Sequence, residues 1–171
     1  MPRILIVYYT RTGNTEKMAK LVEEGAKSVP GVEVITRKVE DVAVEELLKA
    51  DGIILGSPTY YGSAASPIRT LIDKSVKFHG QLEGKVGAAF ASSGNVGGGN
   101  ETTILNMLEA LLIHGMIVQG DPRGDHYGPV SVGVPDDRAS RICRRLGERT
   151  AQLVVRLFGT GEKTEGTGGK Q

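Results

Sequence analysis

The first thirty residues change from a strand pattern to a helix pattern through a short segment rich in threonine and glycine. Ile4 to Tyr8 is a continuous apolar run, as expected for a strand that is covered on both faces of a sheet. From Thr15 onwards, apolar residues recur at helical spacing until Pro30-Gly31 ends the pattern. A buried strand that leads directly into an amphipathic helix restricts the chain to layered folds of strands and helices.

The segment that joins this strand to this helix has the composition of an anion site. The first backbone N–H groups of a helix have no intrahelical partner, and the helix dipole adds partial positive charge there. Threonine hydroxyls beside them suit a phosphate monoester, since the segment lacks the Gly-Lys-Ser/Thr ending of the P-loop and the three glycines of the dinucleotide fingerprint. From these residues alone, a capped helix start without a ligand stays open as the alternative. The residues are Thr10, Arg11, Thr12, Gly13, Asn14 and Thr15.

Strand and helix patterns alternate five times along the chain, and the connections fit parallel crossovers. This order predicts one α/β domain over residues 1–158 with helices on both faces of a parallel sheet, and a disordered tail over residues 159–171. Gly120 to Pro135 is predicted to be a long irregular loop. The other predicted strands are 32–39, 52–56, 86–91 and 116–119, and the other predicted helices are 44–50, 66–77 with Ser66 as N-cap, 102–114 and 137–158.

Charge and composition exclude several classes of function. The net charge of +1 argues against a nucleic-acid-binding surface. Cys143 is the only cysteine, which excludes an internal disulfide and a cysteine-rich metal site. His79 and His126 lack metal-ligand spacing, so no metal is expected. The sequence contains neither a signal-peptide pattern nor an apolar run of membrane-spanning length, so we expect a cytoplasmic protein that does not insert into membranes.

The last predicted helix carries a row of arginines opposite its apolar residues. Such a row can bind an acidic partner, but we favour a solvated helix face. The arginines are Arg138, Arg141, Arg145 and Arg149, and the predicted buried stripe is Ile142, Leu146, Leu153, Val154 and Leu157.

Two further loops are predicted at the same edge of the sheet as the threonine-rich segment, because the carboxyl ends of parallel strands share one edge. Tyr60 and Tyr61 offer flat faces for stacking against a planar ring. The segment from Ser92 to Asn100 is rich in glycine, so its backbone can approach the polar edge of such a ring. Together with a phosphate-binding segment, these loops predict a planar, mononucleotide-like cofactor.

The three loops resemble those of the flavodoxin-like proteins that bind FMN. The segment from Ile6 to Ala19 has the flavodoxin phosphate-loop pattern, including Thr10, Gly13 and Thr15. The resemblance covers about residues 3 to 158 and implies a three-layer, doubly wound, five-stranded parallel sheet in the order 2-1-3-4-5, with FMN at its carboxyl edge. More narrowly, segments 56–62, 92–99 and 114–116 are similar to those of the WrbA-type NAD(P)H:quinone oxidoreductases.

The resemblance also implies roles for individual residues. His114 corresponds to a family histidine near the flavin and the quinone, which makes it the candidate catalytic residue, while a helix-end cation that the helix dipole favours is an equal alternative. Phe78 and Tyr127 are the candidate substrate residues. The candidate FMN residues are Thr10, Arg11, Thr12, Gly13, Asn14 and Thr15 at the phosphate, Pro58, Thr59, Tyr60, Tyr61 and Gly62 at the ring, and Ser92, Ser93, Gly94, Asn95, Val96, Gly97 and Gly98 at the pyrimidine edge and ribityl chain.

The function implied by the resemblance is an FMN-dependent NAD(P)H dehydrogenase (quinone), which transfers two electrons as a hydride through flavin N5 to a quinone or another small-molecule acceptor. A homo-oligomer, either dimer or tetramer, is also implied. The chain departs from the quinone reductases in two features, since it lacks their insertion after the second strand and their tryptophan. The alternatives are a flavodoxin-type one-electron carrier, which the net charge of +1 disfavours, and a non-catalytic binding or regulatory domain with this fold.

Overall fold

Strands and helices alternate in the computed structural model, which describes residues 1–159. Residues 160–171, most of the predicted tail, lie outside the described residues. The strands are β1 (Arg3–Tyr8), β2 (Glu33–Lys38), β3 (Gly52–Tyr60), β4 (Ser63–Ala64), β5 (Val86–Ser93), β6 (Ile117–Val118) and β7 (Val130–Val132). The α-helices are α1 (Asn14–Lys27), α2 (Ser66–Lys74), α3 (Asn100–Ile113) and α4 (Asp137–Phe158), and short 3₁₀ helices cover Val39–Asp41, Val44–Lys49 and Ser75–Phe78.

The central sheet has the strand order β2-β1-β3-β5-β6, and all of these neighbours are parallel. This confirms the predicted doubly wound order 2-1-3-4-5, because β5 and β6 are the fourth and fifth strands of the prediction. The strand order reverses between β1 and β3, and a crevice for a ligand forms at such a point. β4 forms a hairpin with β3, and β7 pairs with the carboxyl end of β5.

The third and fourth predicted strands are longer than their apolar runs. The sequence predicts that they end at residues 56 and 91, but β3 continues to Tyr60 and β5 to Ser93. The two strands stay paired as far as Pro58 opposite Ser92, and β3 then pairs with β4. Backbone pairing therefore continues where the side chains turn polar, and part of both predicted loops is strand.

Other differences from the prediction include a further strand and the bounds of α2. The predicted irregular loop contains β7, which is held by its pairing with β5. The N-cap of α2 is Ala65 rather than Ser66, which is the first helical residue. The helix predicted to reach residue 77 ends at Lys74, and one 3₁₀ turn follows it as far as Phe78.

Strand side chains alternate between two hydrophobic clusters, one on each face of the sheet. Along β1, Ile4 and Ile6 belong to the cluster that includes α1 and α4, whereas Leu5 and Val7 belong to the cluster that includes α2 and α3. Burial on both faces explains why this strand reads as an unbroken apolar run.

Helices α1 and α4 approach each other through two glycines. An ideal Cβ on Gly147 would lie 1.9 Å from the carbonyl oxygen of Val22, and one on Gly25 would lie 1.8 Å from that of Arg144. Backbone therefore packs against backbone, which leaves no space for a side chain at either glycine.

The prediction of which face of α4 is buried is wrong, because the close contact between the backbones of α1 and α4 admits only small residues. Leu157 is 46% exposed, and Val154 is the member of the stripe that is fully buried. Small residues face α1 instead, because larger ones would push the helices apart. The buried residues of α4 are Ala139, Cys143, Gly147, Thr150, Ala151 and Val154.

None of the helices within residues 1–159 combines the length and the apolar character needed to cross a membrane.

Replacing Gly147 with alanine should destabilise the fold by roughly 1–3 kcal/mol, the usual cost of overpacking an interior. The new Cβ meets backbone atoms, which cannot rotate away as a side chain can. Urea unfolding followed by circular dichroism measures the free energy of unfolding. Gln152→Ala, at an exposed position of the same helix, is the matched control. Equal stability of the two variants would contradict the close contact between α1 and α4.

Candidate functional site

The three predicted loops meet at the carboxyl edge of the sheet. We call them the first loop (residues 9–15), the hairpin loop (residues 58–65) and the glycine loop (residues 92–100). The strand register places Tyr8 opposite Gly56, and the N–H of Tyr9 continues this pairing by donating to the Gly56 carbonyl oxygen at 3.1 Å. The ends of β1, β3 and β5 therefore lie side by side, as the sequence predicts.

The first loop ends in an open helix N-terminus. Gly13 is the N-cap of α1 and has a φ of +91°, a left-handed conformation that favours glycine. Its N–H donates to Thr10 Oγ1 at 3.0 Å, and within residues 1–159 no side chain caps α1. The N–H groups of Asn14 and Thr15 in the first turn have no intrahelical partner, so this end of α1 suits an anion. Arg11 and Thr12 are the exposed residues of the loop.

A buried hydrogen bond joins the first loop to the glycine loop. The Thr15 and Ser92 hydroxyl oxygens are 2.8 Å apart, and either can be the donor. Both side chains are buried, with 2% and 5% of their surface exposed. Two hydroxyls carry two hydrogens and this bond uses one of them, so one remains to donate to a ligand.

The hairpin loop holds Tyr61 in a strained and exposed position. Tyr60 pairs with Ser63 across the hairpin, and Tyr61 and Gly62 form the two-residue turn, with φ values of +51° and +73°. Positive φ at both residues is typical of a type I′ hairpin turn, but it is unusual for tyrosine. The Tyr61 ring is fully exposed. Backbone strain combined with an exposed aromatic ring is a common feature of ligand sites.

Tyr60 presents a different feature beside this turn. Its hydroxyl is buried but has no hydrogen-bond partner within residues 1–159. The ring of Tyr9 packs edge-on against that of Tyr60, with 6.5 Å between the ring centroids. A buried polar atom without a partner is costly, so a ligand that supplies one would be favoured here.

The glycine loop and the hairpin loop are in direct backbone contact. An ideal Cβ on Gly99 would lie 2.7 Å from the Cα of Gly62, so only glycine allows this approach. Thr59 Oγ1 donates to Asn100 Oδ1 at 3.2 Å, and Thr102 Oγ1 donates to the Gly62 carbonyl oxygen at 2.8 Å. The predicted members of the glycine loop from Gly94 to Gly98 are exposed on the open side of this contact.

Several residues that hold the site were missed from the sequence. Asn100 and Thr102 begin α3 and bind the hairpin loop, as described above. Ser57 is buried, and its hydroxyl oxygen accepts a hydrogen bond from the N–H of Ala65 at 2.8 Å, which closes the base of the hairpin. Ser57 directly precedes the hairpin loop, Asn100 is the last residue of the predicted glycine-rich segment, and Thr102 lies two residues after it. Their polar side chains beside these loops are the only sign of their role in the sequence.

The structure separates His114 and Phe78 from the loops within one chain. His114 follows the last residue of α3, a helix of 14 residues that starts at the glycine loop, so the helix places it about 20 Å from that loop. Its Nε2 is 2.8 Å from Ser75 Oγ, and its side chain is buried. Phe78 lies on the same opposite edge, after α2. Within one chain, these two residues therefore lie away from the three loops, and their roles at the cofactor or the substrate stay predictions.

Tyr127, the other candidate substrate residue, lies close to the glycine loop. It belongs to the segment between β6 and β7, which we call the clamped loop (residues 119–129). β7 follows this loop directly and pairs Val130 with Ala91, next to Ser92. Tyr127 is exposed.

The arginine row of α4 is not simply a solvated face. Arg145 and Arg149 pair with Asp121, and Arg138 pairs with Asp125. Both acids are in the clamped loop, so these arginines bind a segment of their own chain. The expectation of a solvated row is wrong for these three, because the acids that pair with them are more than ten residues away in the sequence.

Comparison with known families gives a match to the family described as NADPH-dependent FMN reductase over residues 38–123, which contain the hairpin loop and the glycine loop. The chain is 41% identical over 171 residues to a flavodoxin of Aquifex aeolicus (strain VF5), covering 95% of this chain and 92% of that protein. It is 35% identical over 191 residues to an NAD(P)H dehydrogenase (quinone) of Archaeoglobus fulgidus, covering 92% and 100%.

Among solved structures, the fold is similar to that of a flavodoxin, a WrbA-like protein from Agrobacterium tumefaciens. The TM-score is 0.76 at 24% sequence identity, and the match covers 91% of this chain and 99% of that chain. This likeness supports the fold.

The position of His114 predicts a pH-dependent stability. Burial, followed by the charge of His79, lowers the pKa of His114 below its ordinary value of about 6.5. Folding thus favours the neutral ring, and this stabilisation is present above about pH 6.5 and is lost as the pH falls through that value towards the lowered pKa of the folded state. Urea unfolding should give a smaller free energy of unfolding at about pH 5 than at about pH 8.

His114→Gln should flatten this pH dependence, because it removes the titrating group. Gln152→Ala, at an exposed position without a titrating group, is the control and should keep the wild-type slope. An unchanged slope in the His114 variant would show that another group causes the loss of stability.

Proposed function

Since the chain belongs to the flavodoxin-like family of FMN-binding proteins, we propose that it is an FMN-dependent NAD(P)H dehydrogenase that passes two electrons to a quinone. The observation that carries the proposal is the contact among the three loops. The Thr15–Ser92 and Thr59–Asn100 hydrogen bonds hold an anion site and an aromatic hairpin in a fixed relation. A phosphate attached to a planar ring has both of these binding requirements.

The residues of the three loops fit FMN. The uncapped N-terminus of α1, the exposed Thr12 hydroxyl and the spare hydrogen of the Thr15–Ser92 pair would hold the phosphate. Tyr60, whose buried hydroxyl has no partner in the described part of the chain, and the exposed Tyr61 would border the ring. When bound, FMN supplies the hydride and electron chemistry.

The chain itself positions this group and controls access to it. The exposed part of the glycine loop, residues 94–98, carries no bulky side chain except Val96, so its backbone can approach the polar edge of the ring closely. The ring of Tyr61 is exposed to solvent, and NAD(P)H and then the acceptor would approach from that side. His114 has no direct part in this scheme. The residues assigned to FMN remain the predicted ones, Thr10 to Thr15, Pro58 to Gly62 and Ser92 to Gly98.

A one-electron carrier is the second candidate, and one structural feature favours it. Tyr61 and Val96 are apolar, strongly exposed and located on loops that touch each other. Such a rim suits brief docking of a redox protein rather than enclosure of a small substrate. The relative from Aquifex aeolicus that is named a flavodoxin supports the same reading.

We also propose that the protein is a cytoplasmic homo-oligomer. Leu112, Ile113 and Ile117 are exposed at the end of α3 and on β6, and Val76 is exposed on the neighbouring 3₁₀ helix. A second copy that covers this patch would remove apolar surface from water. Light scattering of the purified chain measures the number of subunits.

Replacing Thr12 with valine should weaken FMN binding about tenfold, because a hydroxyl that donates to phosphate is lost. Binding of riboflavin, which has no phosphate, should change little. Fluorescence quenching of each flavin measures both constants. Thr70→Val, at an exposed position on α2, is the matched control. Equal weakening of FMN and riboflavin binding would show that Thr12 does not contact the phosphate.

The proposed activity predicts NAD(P)H oxidation that depends on both bound FMN and an added quinone. The assay follows nicotinamide absorbance with NADH and NADPH against a neutral quinone, at fixed oxygen. Apoprotein prepared by acid removal of the flavin is the control. FMN-loaded protein that leaves NADH and NADPH unoxidised with every quinone would favour the one-electron carrier.

A further inference from the structure

The two-residue turn at the tip of the hairpin loop is strained and is held from α3. Tyr61 has a φ of +51°, and type I′ turns usually carry asparagine, aspartate or glycine at that position. The Tyr61 ring is fully exposed, so packing of its own side chain does not offset this strain. Within residues 1–159, the side-chain hydrogen bond to the turn comes from Thr102, whose Oγ1 lies 2.8 Å from the Gly62 carbonyl oxygen. Thr102 therefore stabilises a turn that the conformation of Tyr61 disfavours.

The Thr102 hydroxyl has one hydrogen and two carbonyl oxygens within its reach. Its Oγ1 lies 2.8 Å from the oxygen of Gly62, on the hairpin loop, and 3.0 Å from the oxygen of Gly99, on the glycine loop. The Gly99 oxygen already accepts a hydrogen bond from the N–H of Thr103 at 3.0 Å, in the first turn of α3. Donation to Gly62 is therefore the better use of the hydrogen, and donation to Gly99 is the local alternative when the hairpin loop moves away.

The hydroxyl lies at the point where the two loops touch. An ideal Cβ on Gly99 would lie 2.7 Å from the Cα of Gly62 and 3.1 Å from Thr102 Oγ1. The Thr59–Asn100 hydrogen bond lies beside this contact and is longer, at 3.2 Å. Thr102 is exposed, so its hydrogen bond can break and form again without unfolding of the core. A bond at this position controls the spacing between the two loops.

Resting on the proposed binding of FMN at the three loops, we propose that Thr102 is a positioning residue that latches the hairpin loop to the glycine loop and thereby retains the ring of the cofactor. While the hydroxyl donates to Gly62, the turn keeps Tyr61 beside the ring. When the hydroxyl donates to Gly99 instead, Tyr61 relaxes to a negative φ and the ring is free to leave. The anion site belongs to the first loop, so the latch acts on the ring and not on the phosphate.

The latch lowers the cost of binding the ring. A loop that is ordered before its ligand arrives loses less conformational freedom when the ligand binds. Loss of the Thr102 hydroxyl should therefore affect every flavin that has the ring, with or without a phosphate. This distinguishes Thr102 from Thr12, whose hydroxyl is expected to affect FMN but not riboflavin.

Thr102→Val removes the hydroxyl and keeps the shape of the side chain. We expect FMN and riboflavin to dissociate about fivefold faster from this variant, by the same factor for both, because one hydrogen bond at the ring is lost. Recovery of flavin fluorescence after dilution of the loaded protein measures both rates. Thr102→Ser keeps a hydroxyl and should restore wild-type release. Thr70→Val, at an exposed threonine of α2, is the matched control and should leave both rates unchanged.

Hydrogen exchange in the apoprotein separates the latch from a general loss of stability. Amide exchange over residues 58–65 should be about fivefold faster in Thr102→Val than in wild type, whereas exchange in β1 should stay the same. The midpoint of urea unfolding should also stay the same, because Thr102 is exposed and is not part of the core.

Four results would overturn the inference: equal flavin release from wild type and the valine variant, equally fast release from the serine variant, an effect on FMN that riboflavin does not share, or unchanged amide exchange in the hairpin loop. Failure of the proposed function looks different, because these measurements use neither a nicotinamide nor an electron acceptor. Wild-type protein that retains both flavins but does not oxidise NAD(P)H would overturn the proposed activity alone, and wild-type protein that binds neither flavin would overturn both.

Discussion

The candidate site depends on how far β3 and β5 remain paired. Their ladder runs to Pro58 opposite Ser92, three residues past Leu55 in β3 and one residue past Ala91 in β5. Because of this extension, the hairpin loop and the glycine loop start from a rigid sheet rather than from free chain ends. Ser92 is then in reach of the Thr15 hydroxyl, and the first loop is bound to the same edge. A shorter ladder would leave three separate loops in place of one site.

Among the described residues, two close backbone contacts that glycine makes possible bear on the position of the site. Gly147 and Gly25 let α4 lie against α1, and Gly99 lies against Gly62 where the two site loops touch. Side chains at these contacts would increase the distance between the two helices, or between the two loops, and would add bonds that can rotate. Direct contact of backbones instead sets position to within a few tenths of an ångström, which a site that must align a phosphate and a ring requires.

The sequence predicts the parts of the fold that local patterns determine. The helix bounds of α4 and the strand–loop–helix unit around Gly13 follow from nearest neighbours, and the structure confirms both. The errors arise where distant residues decide the outcome. β7 exists because β5 offers a free edge, and His114 is buried against Ser75 because α3 ends far from its starting loop. Neither the pairing of β7 nor the burial of His114 can be predicted from the residues adjacent to these positions.

Two short strands, β6 and β7, pair with opposite ends of β5, where the prediction has one fifth strand. The gap between them links the fold to the candidate site. A continuous strand there would complete the sheet, whereas the break inserts the clamped loop beside the glycine loop. The arginines that hold this loop are on α4, and Gly147 holds α4 against α1. The position of Tyr127 relative to the first loop is thus set through two helices and not through the loop's own stiffness. A change that moves α4 must therefore disturb the candidate site as well as the core.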